Sequence, residues 1–207
     1  MPNSSSTRVH RSSADRMLEI QDAAQRIALT DGLLAVTARS VAAEMGVTAS
    51  LVVHYERNME ELVARTFDMI VTRELDEVRA LVAKEACPTD RVRVLLSTLL
   101  AGGRDAMALV WVQSWGIGGR NEALAGSVRT QMDAWEGFVA ELIEDGVKAG
   151  EFTSDNTRAV AAQMVGMIDG LNAHSLIRWH TPRDRRALMA RSVEPLLQLT
   201  PGALGER

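Results

Sequence analysis

The chain has 207 residues, 46% of them hydrophobic but only 4% aromatic, and a formal net charge of −4. That length buries the core of one or two domains, and the single cysteine, Cys87, excludes an intramolecular disulfide and suits a reducing compartment. The N-terminal MPNSSSTRVHRSS lacks the apolar segment of a signal peptide, and no run reaches the length of a membrane span. The expectation is a soluble, cytoplasmic protein that does not engage a membrane.

Ala, Leu, Val and Met carry the apolar load, and no alternating β-branched runs stand out, so the predicted fold is all-α, with nine helices. The N-terminal arm, with Arg8, His10 and Arg11, reads either as a tail or as a segment that lies along a nucleic acid. A first helix over 13–31 places Ile20, Ala24, Ile27 and Ala28 on one face and closes at Asp31-Gly32. Thr37 is positioned to cap a second helix over 38–45, whose apolar face is Val41, Ala42 and Met45. Gly46 ends it in a left-handed conformation, and Thr48 caps a third, two-turn helix over 49–55. In that helix Val47, Leu51 and Val52 point inward, which leaves Ser50, His54 and Tyr55 to project. A short helix with polar tips, braced across another, is the geometry that enters a DNA major groove.

Asn58 through Glu61 reads as a capping box for a long fourth helix over about 59–83, with Leu62, Thr66, Met69, Ile70 and Arg73 on its inner side. Pro88 opens a fifth helix to about Leu100, and Gly102-Gly103 breaks it. A strongly apolar sixth follows through Trp111 and Trp115 and ends in Gly116-Ile117-Gly118-Gly119. A seventh spans about 121–148 and is closed by Lys148-Ala149-Gly150. The eighth and ninth are read over Asp155–Trp179 and Pro182–Leu199.

Catalytic constellations are weak. His174 and His180, six apart, would fall on different sides of one helix and cannot share a metal as an i, i+4 pair would, and no cysteine pair exists for zinc. Gly116 to Arg120 lacks the preceding strand and the Gly-Lys-Ser/Thr of a phosphate cradle, and reads as a hinge. Glu60-Glu61 and Glu144-Asp145 fit caps or solvated faces, and no nucleophile elbow occurs. No enzyme, no cofactor and no metal site is expected.

The segments Ala23-Ala24-Gln25-Arg26-Ile27-Ala28, Asp31-Gly32, Thr37 to Ala42, Gly46-Val47-Thr48, His54-Tyr55 and Glu60-Glu61-Leu62 resemble, in order and spacing, the TetR family of bacterial transcriptional regulators. The body, with Trp111 and Trp115, Asp145 to Phe152, and Asp169-Gly170-Leu171, resembles the BetI-like ligand-binding and dimerisation domain. The resemblance implies an N-terminal three-helix, helix-turn-helix head over 1–57 and a C-terminal helical bundle over 58–207. It implies a homodimeric repressor released from a palindromic double-stranded DNA operator by a small-molecule effector.

On that reading Thr48, Ala49, Ser50, His54 and Tyr55 face the groove, while Thr37, Arg39, Arg57 and Asn58 face phosphates. Three positions depart from the family: Ala49 and Met59 stand where lysines are usual, and Glu56 where an aromatic is usual. These changes are expected to put less positive charge on the DNA side. The head is also electrically neutral, with six basic and six acidic residues over 1–57, against 17 and 21 in the rest. An all-α interaction or ligand-binding module that has lost DNA binding is therefore the rival reading.

In the body, Trp111, Trp115, Trp135, Met164 and Met167 are each ordinary core candidates. Taken together they suggest a pocket for an apolar or aromatic effector, with Gln113, Asn172 and His174 to orient it. Dimerisation is expected through the last two helices, on a face of Val160, Met164, Met167, Ile168 and Leu171 with Met189, Val193, Leu196 and Leu197. Gly166 and Gly170 there permit close approach, and Pro195 shortens the ninth helix.

Overall fold

Side chains that take over unpaired backbone amides decide where most of these helices begin. The computed structural model describes residues 12–205. Helix α1 (Ser13–Asp31) opens on a capping box between Ser12 and Asp15, and α2 (Ala38–Met45) on one between Thr37 and Ser40. A single 3₁₀ turn (Leu33–Ala35) joins them. Thr48 caps α3 (Ala49–Tyr55), and Asn58 caps α4 (Met59–Val82). Helix α5 (Pro88–Leu99) starts at a proline, and α6 (Asp105–Gly118) follows Arg104 without a side-chain cap. Asn121 caps α7 (Glu122–Lys148), and Asn156 caps α8 (Thr157–Ser175). Thr181 and Asp184 form the box that opens α9 (Pro182–Leu196). No strand occurs among the described residues, and no helix there is long and apolar enough to cross a membrane. The arm with Arg8, His10 and Arg11 lies outside them.

Helices α1 to α3 close around Ile20, Ala24, Leu33, Val41 and Val52, all buried. In the body α7 packs on α4, α5, α6 and α8, and α9 lies against α5 and α8. Helix α4 belongs to both cores. Leu62 and Phe67 are buried toward its start, and Leu75, Val78 and Val82 toward its end. A buried hydrogen bond from Gln21 Nε2 to Thr66 Oγ1 (2.9 Å) fastens α1 to it.

Several expectations need correction. The buried face of α4 runs through Phe67, Ile70, Val71, Glu74 and Val78, while Met69 and Arg73 are exposed and meet α1 through Gln25, which donates to the Met69 sulfur and accepts from Arg73. Asn58 caps α4 without a capping box: its Oδ1 accepts from the Glu60 and Glu61 amides, while its own amide donates to Glu56 Oε1 (3.4 Å). Glu61 turns to Arg65 instead. Helix α6 runs through Gly116 to Gly118, so the glycines do not break it before Gly119. The Arg120 and Asn121 amides that a phosphate cradle would aim outward both bond to the Ile117 carbonyl.

Helix α8 stops at Ser175 rather than Trp179. Arg178 adopts a left-handed conformation (φ 59°), and the Trp179 amide turns back to the His174 carbonyl (3.1 Å). The Trp179 ring is then held between His174 and His180, with centroids 4.9 and 4.4 Å away. Helix α9 ends at Leu196, one residue past Pro195. Val160, Met164, Ile168, Met189, Val193 and Leu197, expected on the partner-facing side, are buried inside the protomer. The opposite face of α8 exposes small residues, Ala159, Ala162 and Gly166.

The Asp145 to Phe152 segment has a steric rationale. Gly150 is left-handed (φ 73°) and reverses the chain, so that Phe152 packs onto Gly146 of α7. A Cβ at Gly146 would lie 2.0 Å from the Phe152 ring. Gly146→Val should therefore lower stability by about 3 kcal/mol, the upper end of overpacking costs. Urea unfolding checks this; an unchanged midpoint would mean that Phe152 relocates freely.

Candidate nucleic-acid interface and internal pocket

The α2–α3 unit presents a compact polar surface. Gly46 adopts the left-handed conformation (φ 65°, ψ 35°), and the Val47 amide returns to the Ala42 carbonyl (2.9 Å), which fixes the angle between the two helices. Thr48 Oγ1 accepts from the Leu51 amide (3.4 Å) and shares a hydrogen bond with Ser50 Oγ (3.0 Å). Thr48, Ala49, Ser50, Val53 and His54 are exposed. Tyr55 is half-buried, packed on the core with its ring edge-on to His54 at 5.0 Å. Thr37, Arg39, Arg57 and Asn58 flank this surface and are also exposed.

Charge around it is selectively cancelled. Arg16 pairs with Glu19 and Arg26 with Glu44, whereas Arg39 and Arg57 make no ion pair among the described residues. Glu56, the acid expected to oppose DNA, is buried and bound by Arg65, which removes its charge from the surface. Met59 packs against the core instead of facing outward. Of the three departures from the family pattern, only Ala49 sits on the exposed face.

The body encloses a narrow pocket of about 650 Å³, open mouth included, between α4, α6, α7 and α8. Trp111, Trp115, Trp135 and Asn172 line it. Met164 lies wholly in the core behind the wall, Met167 packs on that core, and His174 is occupied with Trp179, so none of these three joins the lining. Gln113 points to the head instead: its Oε1 accepts from the Leu34 amide (3.0 Å). The side chain also covers Gly32, where a Cβ would meet Oε1 at 2.5 Å. Asn121 Nδ2 adds a bond to the Glu60 carbonyl (3.1 Å), which ties the start of α7 to the first turn of α4.

Sequence reasoning missed the pocket's charged groups. Glu74 on α4 is buried; one of its oxygens takes the Arg104 guanidinium and the other the Trp111 indole N–H (3.3 Å). Burial raises its pKa, against the opposing pull of Arg104 and Trp111. Asp169 on α8 also lines the pocket, and burial, with the nearby Glu74, pushes its pKa up to about 6. Trp111 packs edge-on against Phe67 (5.1 Å), so one indole joins the pocket to α4 through both a ring contact and a hydrogen bond. The available signal was register: Glu74 falls four residues after Ile70 and four before Val78, on the apolar stripe itself.

Residues 88–198 match the family described as BetI-type transcriptional repressor, C-terminal. No curated protein sequence matches the chain. Among solved structures, a TetR-family regulator from Rhodococcus sp. superimposes with a TM-score of 0.72 at 18% identity, covering 89% of this chain and 99% of its own. A regulator from Saccharomonospora viridis, solved in complex with choline, gives 0.74 at 20% identity, with 87% and 96% covered. FadR from Bacillus subtilis, in complex with stearoyl-CoA, gives 0.66 at 18%, with 87% and 97% covered. With over half its length matched by the BetI-type family, and with the helix-turn-helix head in place, the chain belongs to the TetR family of ligand-responsive, DNA-binding transcriptional regulators.

Proposed function

We propose that this regulator acts as a homodimeric repressor whose head, residues 1–57, reads a near-palindromic operator and whose body, from 58 onward, binds the effector that releases it. The observation that carries this reading is that α4 and α6 each touch both sites. Helix α4 takes Thr66 to the head and Glu74 to the pocket, and α6 takes Gln113 to the head and Trp111 and Trp115 to the pocket. An effector that binds one arrangement of these helices better than another shifts the spacing of the two heads in the dimer.

In the groove the contacts are Thr48, Ala49, Ser50, His54 and Tyr55, with Thr37, Arg39, Arg57 and Asn58 toward phosphates. The Asn58 side chain already holds the Glu60 and Glu61 amides, so the start of α4 offers few free N–H groups to a phosphate. The effector lies among Trp111, Trp115, Trp135 and Asn172. Pockets that hold choline in one structural neighbour and stearoyl-CoA in another are consistent with this placement and with wide variation in ligand. The rival reading, a head without DNA binding, loses its support where Glu56 is neutralised by Arg65 and Met59 packs on the core.

A gel shift on the DNA upstream of the protein's own gene tests the reading, and footprinting should show two half-sites about 34–36 Å apart or a multiple of that. Protection of one asymmetric half-site would overturn it. Arg39→Ala and Arg57→Ala should each reduce the log–log salt slope of operator binding by about 1.8, since the dimer loses one phosphate contact in each half-site. Ala49→Lys, on the exposed face, should raise it by the same amount and tighten non-specific binding. Unchanged slopes would place these residues away from the DNA.

For the dimer, the small-residue face of α8 and the exposed Ile177, Trp179 and Leu188 form the contact surface. A Cβ at Gly170 meets nothing within 4 Å in the protomer. Gly170→Arg should therefore fold, gaining about 1 kcal/mol in helix propensity, yet be monomeric by light scattering. A dimeric Gly170→Arg protein would move the interface elsewhere.

A further inference from the structure

The pocket's charges and hydrogen bonds do not balance. Glu74, Asp169 and Arg104 are the charged groups that line it, and Arg104 is already taken by Glu74. Both Glu74 oxygens are engaged. Asp169 makes no hydrogen bond or ion pair among the described residues, although it shares the pocket lining with Trp111, Val165 and Ile168. Asp169 is part-buried, while the Nε1 of Trp135, another lining residue, is fully buried without an acceptor. Polar groups drawn out of water are almost always paired, and a carboxylate in an aromatic pocket without a partner is an exception that a ligand can fill. A water would satisfy the hydrogen bonds but not the surplus negative charge.

We propose that the effector is a small amine whose protonated nitrogen donates a hydrogen bond to Asp169 while its aromatic or aliphatic body lies among Trp111, Trp115 and Trp135. This rests on the effector-pocket reading above and narrows it to one ligand class. A cation restores neutrality, and indole faces favour positive charge. An N–H supplies the donor that Asp169 lacks, which a quaternary ammonium does not. Carboxylates and phosphates are disfavoured, since they would meet two acids and only one, already paired, guanidinium.

The proposal has a pH signature. The titratable and charged groups facing Asp169 are Glu74 on α4 and Arg104 at the start of α6. The α7 side contributes Met132, Trp135 and Val139, and α5 contributes Leu99. With its pKa near 6, Asp169 is ionised at pH 7.5 and mostly protonated at pH 5. Binding of an amine that stays protonated across this range should therefore weaken about ten-fold between those values, as the carboxylate is lost.

The test uses the full-length protein and three probes with one skeleton: 2-phenylethylamine, 2-phenylethanol and (2-phenylethyl)trimethylammonium, titrated by calorimetry at pH 7.5 and pH 5. The amine should bind about ten-fold tighter than either of the others at pH 7.5 and lose that advantage at pH 5. Asp169→Asn removes an unpaired charge from the pocket lining and should fold as the parent does, by circular dichroism. It should bind the alcohol unchanged and the amine no better than the alcohol. Equal binding of amine and alcohol, equal binding of the quaternary analogue, or an amine preference that survives Asp169→Asn would each overturn the proposal. If alcohol and amine bind alike and Trp115→Ala weakens both, the effector pocket stands and only the amine assignment falls. If none of the three binds, both fall together.

Discussion

Helix α4 must be buried in two places at once, and the geometry of both sites follows from that. Its first turns bring Thr66 against α1 of the head, Phe67 meets Trp111 of α6, and its later turns place Glu74, Leu75, Val78 and Val82 in the body. Each fully buried aliphatic or aromatic side chain of this size contributes about 1.5–3 kcal/mol, so neither end detaches cheaply. The Gln21–Thr66 bond adds a polar lock, because separating the partners would leave two buried groups unsatisfied. The head therefore follows α4 as a unit. A displacement at Glu74 reaches α1 through one continuous helix, with Gln113 of α6 holding the opposite side of the head.

The Glu74–Arg104 pair is better understood as a positioning device than as a source of stability. Burying two charges costs several kcal/mol per ion, which their attraction only partly offsets. What the pair does is geometric. Glu74 holds the residue that opens α6 with one oxygen and the indole of Trp111, two turns further on, with the other. A single carboxylate on α4 thus sets both the start and the rotation of α6. Glu74 in turn helps to raise the pKa of Asp169 on α8, so on the proposed reading the carboxylates of both helices respond to the same ligand charge. Coupling between pocket and head needs no long chain of contacts here, since the helix that senses the charge is the helix that carries the head.

What the sequence made legible follows the range of the physics. Caps are local, and Thr37, Thr48 and Asn58 placed the starts of α2, α3 and α4, and Gly46 the end of α2, from residue identity alone. Helix ends without such signals were misplaced. The end of α8 depends on Trp179 stacking between two histidines and on a left-handed arginine, neither of which spacing announces. Trp111 and Trp115, four apart on one helix, were recognisable as neighbours, and the structure brings Trp135 to them across the bundle. Met164 was misassigned because an apolar residue on a helix carries no mark of which buried face it joins. The pocket's acids were missed for the converse reason, since on a solvated helix Glu74 would look the same. Only its register among Ile70, Val71 and Val78 distinguishes it.

The head shows how a neutral domain keeps a surface suited to a polyanion. Its acids are not spread evenly: Glu19 and Glu44 are spent on Arg16 and Arg26, and Glu56 is drawn inward by Arg65. That leaves Arg39 and Arg57 unopposed on either side of a face built of hydroxyls, an imidazole and a phenol. With two such cations per described protomer, counterion release supplies less of the binding free energy than in a lysine-rich head. The balance must come from hydrogen bonds and fit in the groove, which depend on how the recognition helices are held. On the proposed reading, operator affinity in this chain is more sensitive to head placement than to bulk charge, and head placement is the quantity that α4 and α6 would carry from the pocket.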